Sequence, residues 1–196
     1  MSAIHDAVLS NSILSAEVAE TKIPGSVNTA YAFTAELRYP EHLLEGMSDL
    51  ERAEYRAILP ASGVLSRVEG AVIDCDEGNP FSAEFDRNND VSFVALLLSD
   101  TDKLENVNRL MIVAKVGADP EFSGRNLGAD MMERVAEALR ADTIALESSP
   151  LDVDPAWGRP ATETAAQRLL AYYMRNGFKR ISKFPINVLI KYLGTP

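Results

Sequence analysis

Apolar and polar positions alternate most clearly at Tyr31, Phe33, Ala35 and Leu37. A period of two is that of a strand with one buried face, here spanning Asn28 to Arg38 and stopped by Pro40. A period of four takes over at Leu127, Met131, Val135 and Leu139, one stripe of a helix that runs to about Arg140. Ala166, Leu169, Leu170 and Tyr173 mark a second helix, Thr162 to Asn176, closed by Gly177, a residue suited to a helix C-terminus. Apolar runs predict further strands at Val64 to Asp74, Val91 to Leu98, Leu110 to Val116, Asp142 to Glu147, Phe178 to Ser182 and Asn187 to Leu193. Ser48 and Glu51 form a capping box for a short helix that ends at Leu59, before Pro60, with His42 just ahead of it. Ile4, Val8, Ile13 and Leu14 suit one short amphipathic helix, ended by Pro24 and Gly25, either docked or frayed. Asp76 to Asn89 and Ser148 to Ala161 read as loops. The second is long enough to suggest function; its Trp157 either lines a pocket or pins the loop to the core.

Composition narrows the class. A chain of 196 residues, 46% hydrophobic and 24% charged, predicts one folded domain rather than a disordered one. No apolar stretch is long enough for a membrane span, and the N-terminus carries no secretory pattern. A single cysteine, Cys75, cannot form an internal disulfide, which fits a cytoplasmic setting. The net charge of −10 argues against general nucleic-acid binding. The charge is uneven: all 29 acids lie at or before Glu163, followed only by Arg168, Arg175, Lys179, Arg180, Lys183 and Lys191. That segment is either an ordinary solvated face or a cationic rim for a polyanion, beside an acidic surface that attracts amines.

The chemistry concentrates between Val116 and Leu139. A strand enters a loop punctuated by Pro120, Gly124 and Gly128, and a helix follows. The first turn of a helix has unpaired N–H groups and a partial positive charge, and glycine lets an anion approach that backbone. The stretch is therefore a candidate pyrophosphate cradle, although similar units exist that bind nothing. It is neither a Walker loop nor a dinucleotide fingerprint, because the Gly-Lys-Ser/Thr of one and the third glycine of the other are missing. No metal-ligand cluster is evident, and with only His5 and His42 no serine–histidine or cysteine–histidine pair is credible.

The same stretch resembles the central motif of the GCN5-related N-acetyltransferases (GNAT). Ala118-Asp119-Pro120 stands at the family's Val-x-Pro, and Ser123 to Gly128 stands at Gln/Arg-x-x-Gly-x-Gly/Ala. Ser123 replaces the Gln/Arg and Asn126 the first motif glycine; Asn is the next most tolerant residue of a left-handed backbone. Tyr173, Gly177 and Phe178 match the family's Tyr-x-x-x-Gly-Phe, with Leu169 and Ala166 standing at its usual alanine and asparagine. The element order over about residues 28–193 also resembles the family's layout.

The resemblance implies a single α/β GNAT-like domain over 28–196, preceded by an N-terminal extension, 1–27. Its sheet would be central, mixed, mostly antiparallel and twisted, with helices flanking it. It implies N-acetyl transfer from acetyl-CoA to a primary amine, small molecule or protein, by direct attack in a ternary complex. The alternative is a catalytically weak acyl-CoA-binding or protein-interaction module on the same fold; a homodimer is compatible with either. Cofactor contacts would come from Val116, Ala118, Ser123, Gly124, Arg125, Asn126, Leu127, Gly128 and Ala129. Backbone N–H groups around Val116 and Ala118 would face the thioester carbonyl where the fourth strand bulges, a bulge that Gly117 favours. Tyr173 would be the general acid for the leaving thiolate, with Tyr172 on a different side of the helix. The base is open between Glu147 and a water chain.

Overall fold

The computed structural model describes residues 3–21, 30–75, 94, 98, 102–122, 124–148, 163–181 and 187–194. Helix α1 (Ala3–Ser10) leads into strand β1 (Ile13–Thr21), which pairs antiparallel with β2 (Ala30–Arg38) over its full length. Two short helices follow, α2 (His42–Glu45) and α3 (Asp49–Ile58), then β3 (Val64–Asp74), β4 (Arg109–Ala118) and α4 (Leu127–Ala138). The chain continues through β5 (Thr143–Glu147), α5 (Glu163–Arg175), β6 (Lys179–Arg180) and β7 (Val188–Tyr192). The strands form one seven-stranded sheet in the order β1-β2-β3-β4-β5-β7-β6. Only the β4–β5 pair is parallel, as a helical crossover through α4 requires. No helix among the described residues is long and apolar enough to cross a membrane.

Two hydrophobic cores lie against the sheet. One gathers Val8 of α1, Phe33, Leu37, Val68, Met111, Val113, the α4 stripe Met131, Met132 and Val135, and Tyr173. The other gathers Ile73, Leu110, Ile112, Val188 and Ile190 with Val94 and Leu98. The capping box forms as the spacing predicts, with Glu51 N–H donating to Ser48 Oγ and the Glu51 carboxylate accepting from Ser48 N–H.

The structure corrects the sequence reading in three places. Val94 and Leu98 are helical and buried, so the apolar run from Val91 to Leu98 is not the expected strand at these positions; residues four apart share one helix face. Ile13 and Leu14 belong to β1, not to the helix that holds Ile4 and Val8. His42 stands ahead of the capped helix α3 as expected, but it opens a short helix of its own, α2, that the sequence pattern did not predict. Ser123, Trp157, Pro24, Gly25 and the predicted loop at Asp76–Asn89 lie outside the described residues.

The feature that positions the site is the parting of β4 from β5. Leu110 to Val113 pair with Thr143 to Leu146, and the parallel ladder stops there. β4 continues to Ala118 along β3, while β5 is held on its other side by β7. At the same point β4 bulges: Glu69 pairs with Lys115 and Gly70 with Val113, so Ala114 is the extra residue. The bulge sits at Ala114, not at Gly117. Gly70 is what admits it, since a Cβ there would stand 2.1 Å from the Ile112 carbonyl oxygen and 3.1 Å from the Phe33 ring.

Gly70→Ala should therefore lower the unfolding free energy by about 3 kcal/mol or more in a urea titration. Gly46→Ala, whose Cβ meets nothing within 4 Å, should stay within about 0.5 kcal/mol. Equal midpoints for the two variants would mean that close approach at Gly70 does not hold the bulge.

Candidate functional site

A cleft of about 560 Å³ opens where β4 leaves β5. Val116, Gly117 and Ala118 form one wall, Gly124, Asn126, Leu127 and Gly128 a second, and Leu169, Tyr172, Tyr173 and Arg175 of α5 a third. Asp119 N–H donates to Leu65 carbonyl oxygen at 2.8 Å, which turns that residue's backbone toward β3. Backbone groups alternate along a strand, so those of Val116 and Ala118 turn away from β3, into the side that β5 has left. The amides expected to meet a developing negative charge thus face the cleft.

The loop between β4 and α4 is held from both ends. Asp119 accepts from Glu121 N–H through its side chain at 2.9 Å and from Phe122 N–H through its carbonyl at 2.9 Å. Phe122 is fully buried, with the His5 ring of α1 edge-on at 5.3 Å. Gly124 and Asn126 both take left-handed backbone conformations, at φ 76° and 60°; Asn126 stands in for a motif glycine. Its side chain donates to Asp130 at 2.9 Å. Gly128 has little space around it: an added Cβ would lie 3.4 Å from both the Tyr172 hydroxyl and Val116.

Arg125, expected among the cofactor contacts, is committed elsewhere. Its guanidinium donates to Asp6 of α1 at 2.8 Å, with the side chain only 15% exposed. It lies on the side of α4 facing Leu9, Glu133 and Glu137, away from the cleft. The partner was invisible in the sequence because Asp6 and Arg125 stand 119 residues apart.

Helix α5 brings its tyrosines to the cleft. Its end is fixed by Gly177 at φ 85°, by Phe178 N–H donating to Tyr173 carbonyl at 3.2 Å, and by Lys191 of β7 donating to Asn176 carbonyl at 2.7 Å. Tyr173 is 4% exposed and packs edge-on against Phe178 at 5.5 Å. Tyr172 does not point elsewhere, as helical spacing suggested: its hydroxyl accepts the Ala129 N–H at 2.8 Å and lines the same cleft. Glu147 stands at the end of β5, half-buried and paired through its backbone with Val188, and is not part of the lining. Among the described lining residues there is no carboxylate or imidazole. Arg175 supplies the wall's positive charge; the sequence signalled it only as one cation of a basic segment.

No protein-family model matches the chain, and no curated protein sequence matches it. Solved structures do. A putative arylalkylamine N-acetyltransferase 7 from the yellow fever mosquito is 11% identical, with a TM-score of 0.43 over 93% of this chain and 96% of that one. A polyamine N-acetyltransferase from Drosophila melanogaster is 15% identical, with a TM-score of 0.42 over 83% of this chain and 74% of its own. An agmatine N-acetyltransferase mutant is 15% identical, with a TM-score of 0.41 over the same shares. Similarity at this level leaves the function to be read from the cleft itself.

Burial lifts the Tyr173 phenol well above its ordinary value of 10.0, and the neighbouring Tyr172 adds to the rise. Burial also lifts Tyr172, with the Ala129 N–H opposing and Asp130 adding. In the unfolded chain both ionise near 10.0; in the folded chain both hold their protons to higher pH, the buried Tyr173 most of all. Their contribution to stability is thus fully present below about pH 10 and is lost as pH rises beyond it. Urea unfolding from pH 9 to 11 should show that loss, up to about 1.4 kcal/mol per pH unit for the buried Tyr173, and Tyr173→Phe should make it shallower. An unchanged slope in the variant would place the Tyr173 hydroxyl in solvent.

Proposed function

We propose that the chain is an N-acetyltransferase of the GNAT kind, moving an acetyl group from acetyl-CoA to a primary amine by direct attack in a ternary complex. The observation that carries the reading is one cleft shared by three parts: splayed-strand amides at Val116 and Ala118, a glycine-bearing helix N-terminus, and the Tyr173 hydroxyl. The cradle suits a pyrophosphate. Gly124 and Asn126 hold the backbone conformations that expose loop amides, Gly128 lines the cleft at the helix start without a side chain, and Arg175 stands alongside.

Acetyl-CoA supplies an acetyl thioester. The loop and the first turn of α4 hold the phosphates through Gly124, Asn126, Leu127 and Gly128. The Val116 and Ala118 N–H groups receive the charge that develops on the carbonyl oxygen. Tyr173, a phenol that is protonated near neutral pH, gives its proton to the departing sulfur. With no carboxylate or imidazole on the described walls, the amine proton leaves through water or through Glu147 at the end of β5. Asn126 in the place of a motif glycine favours a second reading, an acyl-CoA-binding module that turns over slowly.

Acetyl-CoA should raise the melting temperature, and Gly128→Glu, which fills the cleft and repels phosphate, should abolish the rise. With a panel of amines the wild type should release free thiol, and Tyr173→Phe should do so about 10²-fold more slowly at unchanged acetyl-CoA affinity. No shift at millimolar acetyl-CoA defeats both readings; binding without thiol release selects the binding module.

A further inference from the structure

We infer that Tyr172 is a cofactor-binding residue, its hydroxyl donating a hydrogen bond to a phosphate oxygen of the bound nucleotide. The inference rests on the cofactor reading above and adds a side-chain donor to what is otherwise a backbone cradle. Ala129 is the third residue of α4, and its N–H is one of those that a helix leaves without an internal acceptor. The Tyr172 oxygen accepts that N–H at 2.8 Å. Accepting uses a lone pair and leaves the phenolic hydrogen to be given, and among the described residues nothing takes it.

The hydroxyl is held in place. Its ring meets Tyr173 edge-on at 5.3 Å, and the oxygen lies 3.4 Å from where a Cβ on Gly128 would stand. A donor fixed before binding loses little freedom when it binds. An O–H whose oxygen accepts from a helix N-terminal amide is polarised and donates more strongly. A phenol, whose ordinary value is 10.0, is protonated near neutral pH, so the group meets an anion as a neutral donor. The charges around it are Asp130, engaged by the Asn126 side chain, and Arg175 on the cleft wall.

A second observation points to the same cleft. The Tyr173 side chain is 4% exposed, lines the cleft, and has no hydrogen-bond partner for its hydroxyl among the described residues. With no such partner and not itself a buried atom, that hydroxyl is open to the cleft, where a ligand atom would meet it. The two hydroxyls then serve different ends of the ligand, with Tyr172 at the helix terminus for the phosphates and Tyr173 deeper along α5 for the reacting thioester.

Calorimetric titration of wild type and Tyr172→Phe with CoA and with S-acetylpantetheine, which carries no phosphate, tests the assignment. The variant keeps the ring, and an unchanged circular dichroism spectrum checks its fold. The expected result is a loss of CoA affinity of about ten-fold or more, as for a hydrogen bond to a charged group, with S-acetylpantetheine affinity unchanged. Equal CoA affinity in the two proteins overturns the inference while leaving the cofactor reading intact. Tighter CoA binding by Tyr172→Phe also overturns it, by making the hydroxyl a place-holder that phosphate must displace. Equal loss for both ligands overturns it too, by making the role one of packing. A wild type that binds neither CoA nor acetyl-CoA removes the cofactor reading and this inference together.

Discussion

Everything at the candidate site depends on one backbone contact, the close approach of Gly70 to the Ile112 carbonyl. It lets β3 and β4 stay paired across a register skip at Ala114. The skip bends β4 away just where its parallel ladder with β5 runs out, after Val113 and Leu146. Without the parting, β5 would cover the Val116 and Ala118 amides, and the sheet would have no cleft. A single missing side chain in β3 is thus tied to the opening of a site formed by β4, α4 and α5.

The walls of that cleft are held by contacts remote in sequence. α1 reaches across with His5 and Asp6 to brace the loop at Phe122 and Arg125, so the N-terminal helix supports the cradle. Lys191 of β7 holds the end of α5 through Asn176, and Tyr172 ties α5 to the start of α4. These ties fix the helix terminus, the splayed amides and the two tyrosines relative to one another. Such pre-organisation is what a site acting through backbone dipoles needs, because dipoles that must reorient contribute less when charge develops.

Legibility followed burial. β3 was readable from Val64 to Asp74 and α3 from its capping box, because local pattern and tertiary environment agree there. β1 was not. Ser15 to Glu20 are exposed at every position, so no buried face imposed alternation on the strand. The run containing Val94 and Leu98 misled for the opposite reason: a short, continuously apolar stretch has no period to separate strand from helix.

At the site, the amino-acid order alone determined the parts: a glycine-bearing loop ahead of an amphipathic helix, a left-handed position that Asn126 could accept, and a tyrosine four residues before Gly177. These are local properties, set by backbone sterics and helical spacing. Tertiary structure decided their use. It turned Tyr172 into the cleft, took Arg125 out of it through Asp6, and moved the bulge from Gly117 to Ala114. Each of these depends on which distant backbone or charge a group meets, and that is settled by how the sheet pairs and the helices pack, not by the neighbours along the chain.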